Sequence, residues 1–207
     1  MTYFGEQRCP ILIFTLILAA SQSGCTPQAF IDSVDSNSII VAIGDSLTCG
    51  YGVNPEYSYP SVLAKLLSVS VQNFGLNGEN TSEGLRRLPS ILEQTRPDLI
   101  LLCYGGNDRL QKQPLENTQK NIESMIRLIQ AQNCDIILIA VPQPDLSLSV
   151  PDLYETLAHK YSLSLENNVM RDVLRKASLK SDTIHPNAAG YEMIAQRIHD
   201  LILKSSS

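Results

Sequence analysis

The sequence predicts an α/β protein: a three-layer α/β/α sandwich around a central, mainly parallel five-stranded sheet. Three observations carry that expectation. From about residue 38 onward, short apolar runs alternate with longer segments whose apolar residues recur at helical spacing. The short runs are continuously apolar, as strands covered on both faces must be. The chain has 207 residues, enough for one domain with a full core and too few for two comfortable ones.

The elements follow in order. Ile39–Ile43 is β-branched, continuous and bounded by polar residues, and reads as the first strand. A helix is expected over Tyr59–Leu67, then a short strand at Val69–Phe74. Thr81–Thr95 is the next helix, with Leu85, Leu88 and Leu92 on one face. Leu99–Cys103 is the third strand. Glu116–Gln132 carries Ile122, Met125, Ile126 and Ile129 at helical spacing, and Ile136–Val141 is the fourth strand. Beyond Pro142 the pattern blurs: a Pro- and Ser-rich loop over 142–151, a helix near Asp152–Tyr161, a strand at Leu163–Leu165 and a helix over Asn168–Ala177. The last helix, Ala188–Leu203, turns Ile194, Ile198, Leu201 and Ile202 toward the core.

Residues 1–25 read apart from this domain, with 26–37 as a short linker and 38–207 as the folded unit. Arg8 precedes an apolar run from Ile11 to Ala20, too short to cross a bilayer comfortably but suited to an export signal. Gly24-Cys25 resembles the end of a lipoprotein signal, which would place a lipid on Cys25 and the protein in the periplasm, in contact with a membrane. Gln22 stands where an aliphatic residue is usual, and an uncleaved N-terminal segment is the plain alternative. Of the five cysteines, Cys9 would leave with the signal and Cys25 would carry the lipid, so that Cys49, Cys103 and Cys134 remain. Three is an odd number without CxxC spacing and points to neither a disulfide framework nor a zinc site.

Composition narrows the function classes. The chain is 43% apolar and 18% charged, ordinary for a packed domain and unlike a disordered one. A formal charge of -5 with no Lys/Arg stripe excludes an electrostatic footprint for nucleic acid. Trp is absent, leaving Tyr, Phe and aliphatic side chains for contact with lipid or sugar. Nothing demands more than a monomer, and no metal or cofactor is expected.

In parallel sheets, sites form beyond the carboxyl ends of the strands, and the unusual residues of this sequence sit there. Gly44-Asp45-Ser46-Leu47-Thr48 follows the first strand, where a Ser at a strand-to-helix turn projects its hydroxyl above the sheet. Taken alone it is as readily a helix cap. Asn73 to Thr81 follows the second strand, with Gly75 and Gly78 permitting unusual backbone conformations. Tyr104-Gly105-Gly106-Asn107-Asp108 follows the third and reads equally as a turn. Asp182-Thr183-Ile184-His185-Pro186 precedes the last helix, where an Asp and a His three apart can meet if the chain turns.

Together these are the four sequence blocks of the SGNH hydrolases, also called the GDSL family, and the resemblance covers about residues 38–203 in the family's order. The stretch from Gly78 to Pro89 is similar to a subgroup of bacterial periplasmic thioesterases, esterases and lysophospholipases. The resemblance implies a flavodoxin-like fold and a serine ester hydrolase. By position, Ser46 would be the nucleophile, His185 the general base and Asp182 the residue that orients it. Ser46 N–H, Gly78 N–H and the Asn107 amide would form the oxyanion hole. The chemistry suits these residue types: a serine hydroxyl needs a base within hydrogen-bond reach, and imidazole ordinarily titrates near neutral pH. His159 and His199 fall inside expected helices and read as solvated surface.

A small acyl ester, a thioester or a lipid is the expected substrate. Leu47, Leu76, Tyr104, Leu110 and Leu146 are candidates to line an acyl groove, with core packing as the alternative for each. A carbohydrate O-acetylesterase with the same triad is the competing activity. A non-catalytic surface lipoprotein and a metal-dependent phosphatase are weaker readings, since all triad residues are present and Asp45, Asp182 and His185 make a poor ligand set.

Overall fold

The structure, a computed structural model, describes Met1, Ile31 and residues 34–205. The expected export signal, Cys9 and Cys25 therefore lie outside the described residues. Five strands form one sheet: β1 (Ile39–Gly44), β2 (Ser70–Gly75), β3 (Leu99–Cys103), β4 (Asp135–Ile139) and β5 (Ser164–Glu166). All neighbours pair in parallel, in the order β2-β1-β3-β4-β5. Ile40 to Ile43 of β1 and Ile100 to Cys103 of β3 are wholly inaccessible, which accounts for their unbroken apolar sequence.

Eight α-helices accompany the strands among the described residues: α1 (Ser46–Cys49), α2 (Tyr59–Leu67), α3 (Thr81–Thr95), α4 (Gly106–Leu110), α5 (Leu115–Gln130), α6 (Leu153–Tyr161), α7 (Val169–Leu174) and α8 (Ala188–Ser205). From β1 the chain steps to β2 in one direction, then returns across β1 to β3, β4 and β5 in the other. Crossovers of one hand therefore put α2 on one face and α3 and α5 on the opposite face. Accordingly α2 packs against α8, and α3 against α5.

The expected α2, α3 and β3 match residue for residue, and the other expected elements are present with ends shifted by one to three residues. The β2 and β5 strands begin one residue later than expected, because Val69 and Leu163 turn their N–H groups back to Ala64 O and Ala158 O of the preceding helices. The α7 helix stops at Leu174, and a 3-10 turn over Ala177–Leu179 takes the place of its expected last residues. The short helices α1 and α4 appear where turns were expected.

The chain enters the core earlier than the linker boundary implied. Ile31 is buried in the main core, and its N–H donates to Ser205 O at the end of α8 (3.1 Å). It shares a shallow hollow with Ser38, Asp98 and Asp135, at the amino ends of β1, β3 and β4. Cys103 and Cys134 are buried and Cys49 is half-buried; all three are free thiols.

Candidate active site

Strand order reverses between β1 and β3, so the loops after these two strands diverge and leave a crevice at the carboxyl edge of the sheet. Ser46 opens α1 immediately after β1. Asp45 caps that helix through its Oδ1, which accepts the Leu47 N–H at 2.9 Å, while Thr48 and Cys49 donate to Asp45 O. The first N–H groups of a helix have no partner within it, so Ser46 presents both its hydroxyl and its N–H to the crevice. Gly75 at the end of β2 lies hard against this turn: a Cβ there would stand 2.1 Å from Cys49 N.

The other partner of Ser46 comes from a tight loop. Ser181 N–H donates to His185 O (3.0 Å), and Lys180 and Pro186 form an isolated antiparallel bridge. Within it Asp182 Oδ1 accepts the N–H groups of Ile184 and His185, each at 2.8 Å, and Oδ2 takes His185 Nδ1 at 2.7 Å. His185 Nε2 then stands 3.0 Å from Ser46 Oγ. The Nδ1 contact with a carboxylate assigns the proton to Nδ1 and leaves Nε2 free to accept the serine proton. Asp182 is pushed up by partial burial, but the bonds from the His185 ring and the Ile184 and His185 N–H groups outweigh this and hold it below the usual carboxylate range. Tyr51 lies against the His185 ring, with centroids 4.4 Å apart. Its backbone O is tied down by Tyr191 OH at 3.1 Å.

Opposite this loop stand Gly78 and Asn107. Residues 76–79 form a turn closed by Glu79 N–H on Leu76 O (3.2 Å), with Gly78 at φ +77° and nothing within 4 Å of where a Cβ would be. A left-handed residue at that turn position favours glycine. Asn107 Nδ2 donates to Glu79 O at 3.1 Å and to Asp45 Oδ2 at 3.3 Å, which fixes the amide between the two loops.

Beneath them lies a buried acidic layer that sequence reasoning did not anticipate. Tyr104 OH donates a short hydrogen bond to Glu79 Oε2, and Arg87 clamps the same carboxylate with Nε at 2.9 Å and Nη2 at 2.6 Å. Arg87 Nη2 also reaches Phe74 O at 2.7 Å. Asp108 accepts Thr81 Oγ1 at 2.5 Å and Thr81 N–H at 3.0 Å, which locks the β3 loop to the start of α3. Desolvation pushes the buried Asp45 carboxyl up to about 7; its Leu47 N–H bond opposes the rise, and the nearby Asp108 and Glu79 add to it.

The crevice opens into a cavity of about 820 Å³ whose walls include Ser46, Gly78, Asn107 and His185. Leu47, Leu110 and Leu146 line it as expected, Leu146 from a fully exposed position in the 142–150 loop. Val141, Leu148, Leu174 and Ile184 add apolar surface that the sequence did not single out. Two expectations are corrected. Tyr104 is buried beneath the site, its ring pressed onto Gly84 of α3 and its hydroxyl committed to Glu79, so it cannot touch substrate in the cavity. Leu76 is half exposed on the outer side of the Gly78 turn, where it borders a separate hollow with Glu83, Arg86 and Arg87. His159 is exposed on α6, and His199 pairs with Asp200 on α8, both away from the cavity. No group of three or more His, Cys, Asp or Glu among the described residues is arranged to hold a metal ion.

A doubly wound parallel sheet with a Ser–His–Asp chain over its carboxyl edge defines the class: an α/β serine hydrolase. The chain belongs to the GDSL-like lipase/acylhydrolase family, whose model matches residues 42–193. Relatives include an arylesterase of Vibrio mimicus, 30% identical over 176 residues that cover 80% of this chain and 88% of that one. The thioesterase 1/protease 1/lysophospholipase L1 of Escherichia coli is 27% identical over 75% of this chain and 79% of its own. Among solved structures, the psychrotrophic esterase EstA of a Pseudoalteromonas species superposes with a TM-score of 0.73 at 27% identity, covering 81% of this chain and 98% of that one. The protein is a serine ester hydrolase, and these relatives do not favour the carbohydrate O-acetylesterase alternative.

Proposed function

We propose that Ser46 is the nucleophile that takes up the acyl group, with His185 as general base and Asp182 holding its ring. As Ser46 Oγ attacks the carbonyl carbon, its proton passes to His185 Nε2 and the carbonyl π electrons move onto oxygen. Collapse of that tetrahedral species breaks the bond to the leaving oxygen or sulfur, which takes the proton from His185 Nε2. Water then repeats the sequence on the acyl-serine, and the carboxylic acid departs. Asp182 stabilises the transient imidazolium without taking its proton.

Ser46 N–H, Gly78 N–H and Asn107 Nδ2 are the donors for the developing oxyanion. The turn at Gly78 and the start of α1 hold the two backbone donors in place, while Asn107 Nδ2, with its hydrogens on Glu79 O and Asp45 Oδ2, gives up the longer Asp45 contact to reach the oxyanion. The substrates are carboxylic esters or thioesters with an aliphatic acyl chain, and Leu47, Leu110 and Leu146 are among its contacts. The observation that carries this reading is the continuous Asp182–His185–Ser46 chain at 2.7 and 3.0 Å, opening on a largely apolar cavity.

The test is hydrolysis of nitrophenyl esters from acetate to palmitate by the parent and by Ser46→Ala, with labelling by a fluorophosphonate probe alongside. Cleavage of medium or long chains and labelling of the parent, both lost in the variant, are expected. Turnover by folded Ser46→Ala near the parent's level overturns the assignment, and activity confined to acetate overturns the acyl-chain reading.

The Arg8–Ala20 pattern and Gly24-Cys25 support export to the periplasm and lipid attachment at Cys25. Intact mass of protein from a membrane fraction checks both; a chain that still starts at Met1 excludes them.

A further inference from the structure

The loop that carries Gly78 and the loop that carries Asn107 meet at one residue, Glu79. Its N–H donates to Leu76 O (3.2 Å) and closes the turn that holds Gly78 at φ +77°. Its carbonyl oxygen accepts Asn107 Nδ2 at 3.1 Å, from the loop after β3. A side-chain amide nitrogen carries two hydrogens. The one on Glu79 O can stay in place while the other turns from Asp45 Oδ2, at 3.3 Å, to a substrate oxygen. The backbone of Glu79 therefore shapes the Gly78 turn and serves as the pivot for the Asn107 amide.

The side chain of Glu79 holds that backbone from below. It is only 3% exposed, and its carboxylate accepts Tyr104 OH together with Arg87 Nε at 2.9 Å and Arg87 Nη2 at 2.6 Å. Arg87 Nη2 also donates to Phe74 O at 2.7 Å. A single guanidinium on α3 thus grips the loop at both ends, where it leaves β2 and where it reaches Glu79. Tyr104 stands at the entrance to the second loop, three residues before Asn107. Its backbone O accepts Tyr154 OH at 2.7 Å, and a Cβ on Gly84 would lie 2.5 Å from its ring. Burial and the neighbouring Glu79 carboxylate push the Tyr104 hydroxyl up, which keeps it a donor.

Stability alone does not call for this arrangement. The attraction within a buried ion pair often fails to exceed the cost of taking it out of water, and apolar side chains of like volume fill such a space as well or better. Apolar packing lacks direction, however, whereas a guanidinium fork and a phenol hydroxyl fix both the place and the orientation of a carboxylate. Arg87 also offsets a negative charge that would otherwise oppose an oxyanion above it. Neither Glu79, Arg87 nor Tyr104 lines the catalytic cavity, so none of them meets substrate there.

We infer that Glu79, clamped by Arg87 and Tyr104, is a positioning residue that sets the Gly78 and Asn107 donors for the oxyanion. This rests on the reading of Ser46 as nucleophile and of Gly78 and Asn107 as oxyanion donors. Because such donors act on charge that develops in the transition state, the cluster governs turnover rather than substrate binding.

The experiment is a double-mutant cycle on one nitrophenyl ester, with kcat and KM read separately. The proteins are the parent, Glu79→Gln, Asn107→Ala and the two combined, with Tyr104→Phe carried through the same cycle and Ser46→Ala beside them. Glu79→Gln keeps the shape of the side chain and loses the charge that Arg87 grips. It is expected to lower kcat about tenfold with KM within about twofold, and Tyr104→Phe about fivefold. With Asn107 already truncated, one of the two donors is gone, and the losses are expected to shrink to about threefold and twofold. Losses of equal size in the two backgrounds, losses confined to KM, or an unchanged kcat in both single variants each overturn the positioning role. If Glu79→Gln does not fold, Tyr104→Phe, which removes one buried oxygen, decides by the same rule. A folded Ser46→Ala as active as the parent overturns the nucleophile reading and this inference together. An inactive Ser46→Ala beside an additive cycle overturns this inference alone.

Discussion

The two walls of the site are built in opposite ways. The base wall is short-range: Asp182 and His185 are three residues apart, their side-chain contact and both backbone bonds to Asp182 lie within the loop, and the Asp182 side chain is 43% exposed. The oxyanion wall is long-range: Asp45 meets Asn107 across 62 residues and Glu79 meets Tyr104 across 25, all on buried or half-buried groups. The same residue type responds differently on the two walls. Asp182, bathed in donors, is held low, whereas Asp45, desolvated beside other acids, is pushed up to about 7. In the proposed mechanism one wall handles the proton, and the other holds the oxyanion donors in place.

The sharpest way to break this comparison is to disable each wall separately. Asp182→Asn is expected to lower kcat by about 10⁴-fold, through the wrong imidazole tautomer, with the fold intact. Asn107→Ala removes one oxyanion donor and is expected to lower kcat by about 10²–10³-fold. Steady-state kinetics on one nitrophenyl ester measures both. A larger loss from Asn107→Ala than from Asp182→Asn would reverse the division of labour.

A third test concerns stability. Because the folded protein holds Asp45 at about 7 against an ordinary 3.8, it binds a proton there that the unfolded chain has released. The stabilising contribution of that bound proton is complete below pH 3.8 and is lost as pH rises through 7, by about 4 kcal/mol at most. Asp45→Asn carries no such dependence, so its urea midpoint is expected to improve relative to the parent between pH 5 and pH 8. Parallel pH curves would show that Asp45 is not desolvated as described.

The smallest expected effect lies at the cavity rim. Leu146→Ser removes apolar surface from the acyl path and is expected to lower the palmitate-to-acetate ratio of kcat/KM about fivefold. An unchanged ratio would place the chain elsewhere in the cavity.

The reacting residues of both walls, Ser46, Asp182 and His185 and also Gly78 and Asn107, were legible through the four blocks that resemble the family. Spacing alone left Asp182 and His185 as residues that can meet if the chain turns, and Ser46 as readily a helix cap; the resemblance supplied their roles. Strands β1 and β3 were legible for a different reason: residues buried on both faces leave a continuous apolar signature. The acidic layer left no such trace. Nothing in the spacing of Asp45, Glu79, Arg87, Tyr104 and Asp108 states that three loops and a helix converge, and Tyr104 by sequence was open to substrate contact or to core packing. Leu76 was misjudged because the Gly78 turn, with its positive φ, decides which side of the loop faces the cavity.

Ile31 marks the edge of the sheet that lies farthest from the site. The chain joins the domain beside Ser38, Asp98 and Asp135, at the amino edge of the sheet, whereas Ser46 and His185 stand beyond the carboxyl edge. Six-residue β1 alone separates the two edges by about 20 Å. Whatever packs against the Ile31 edge therefore leaves the mouth around Ser46 and His185 uncovered, open to what diffuses past.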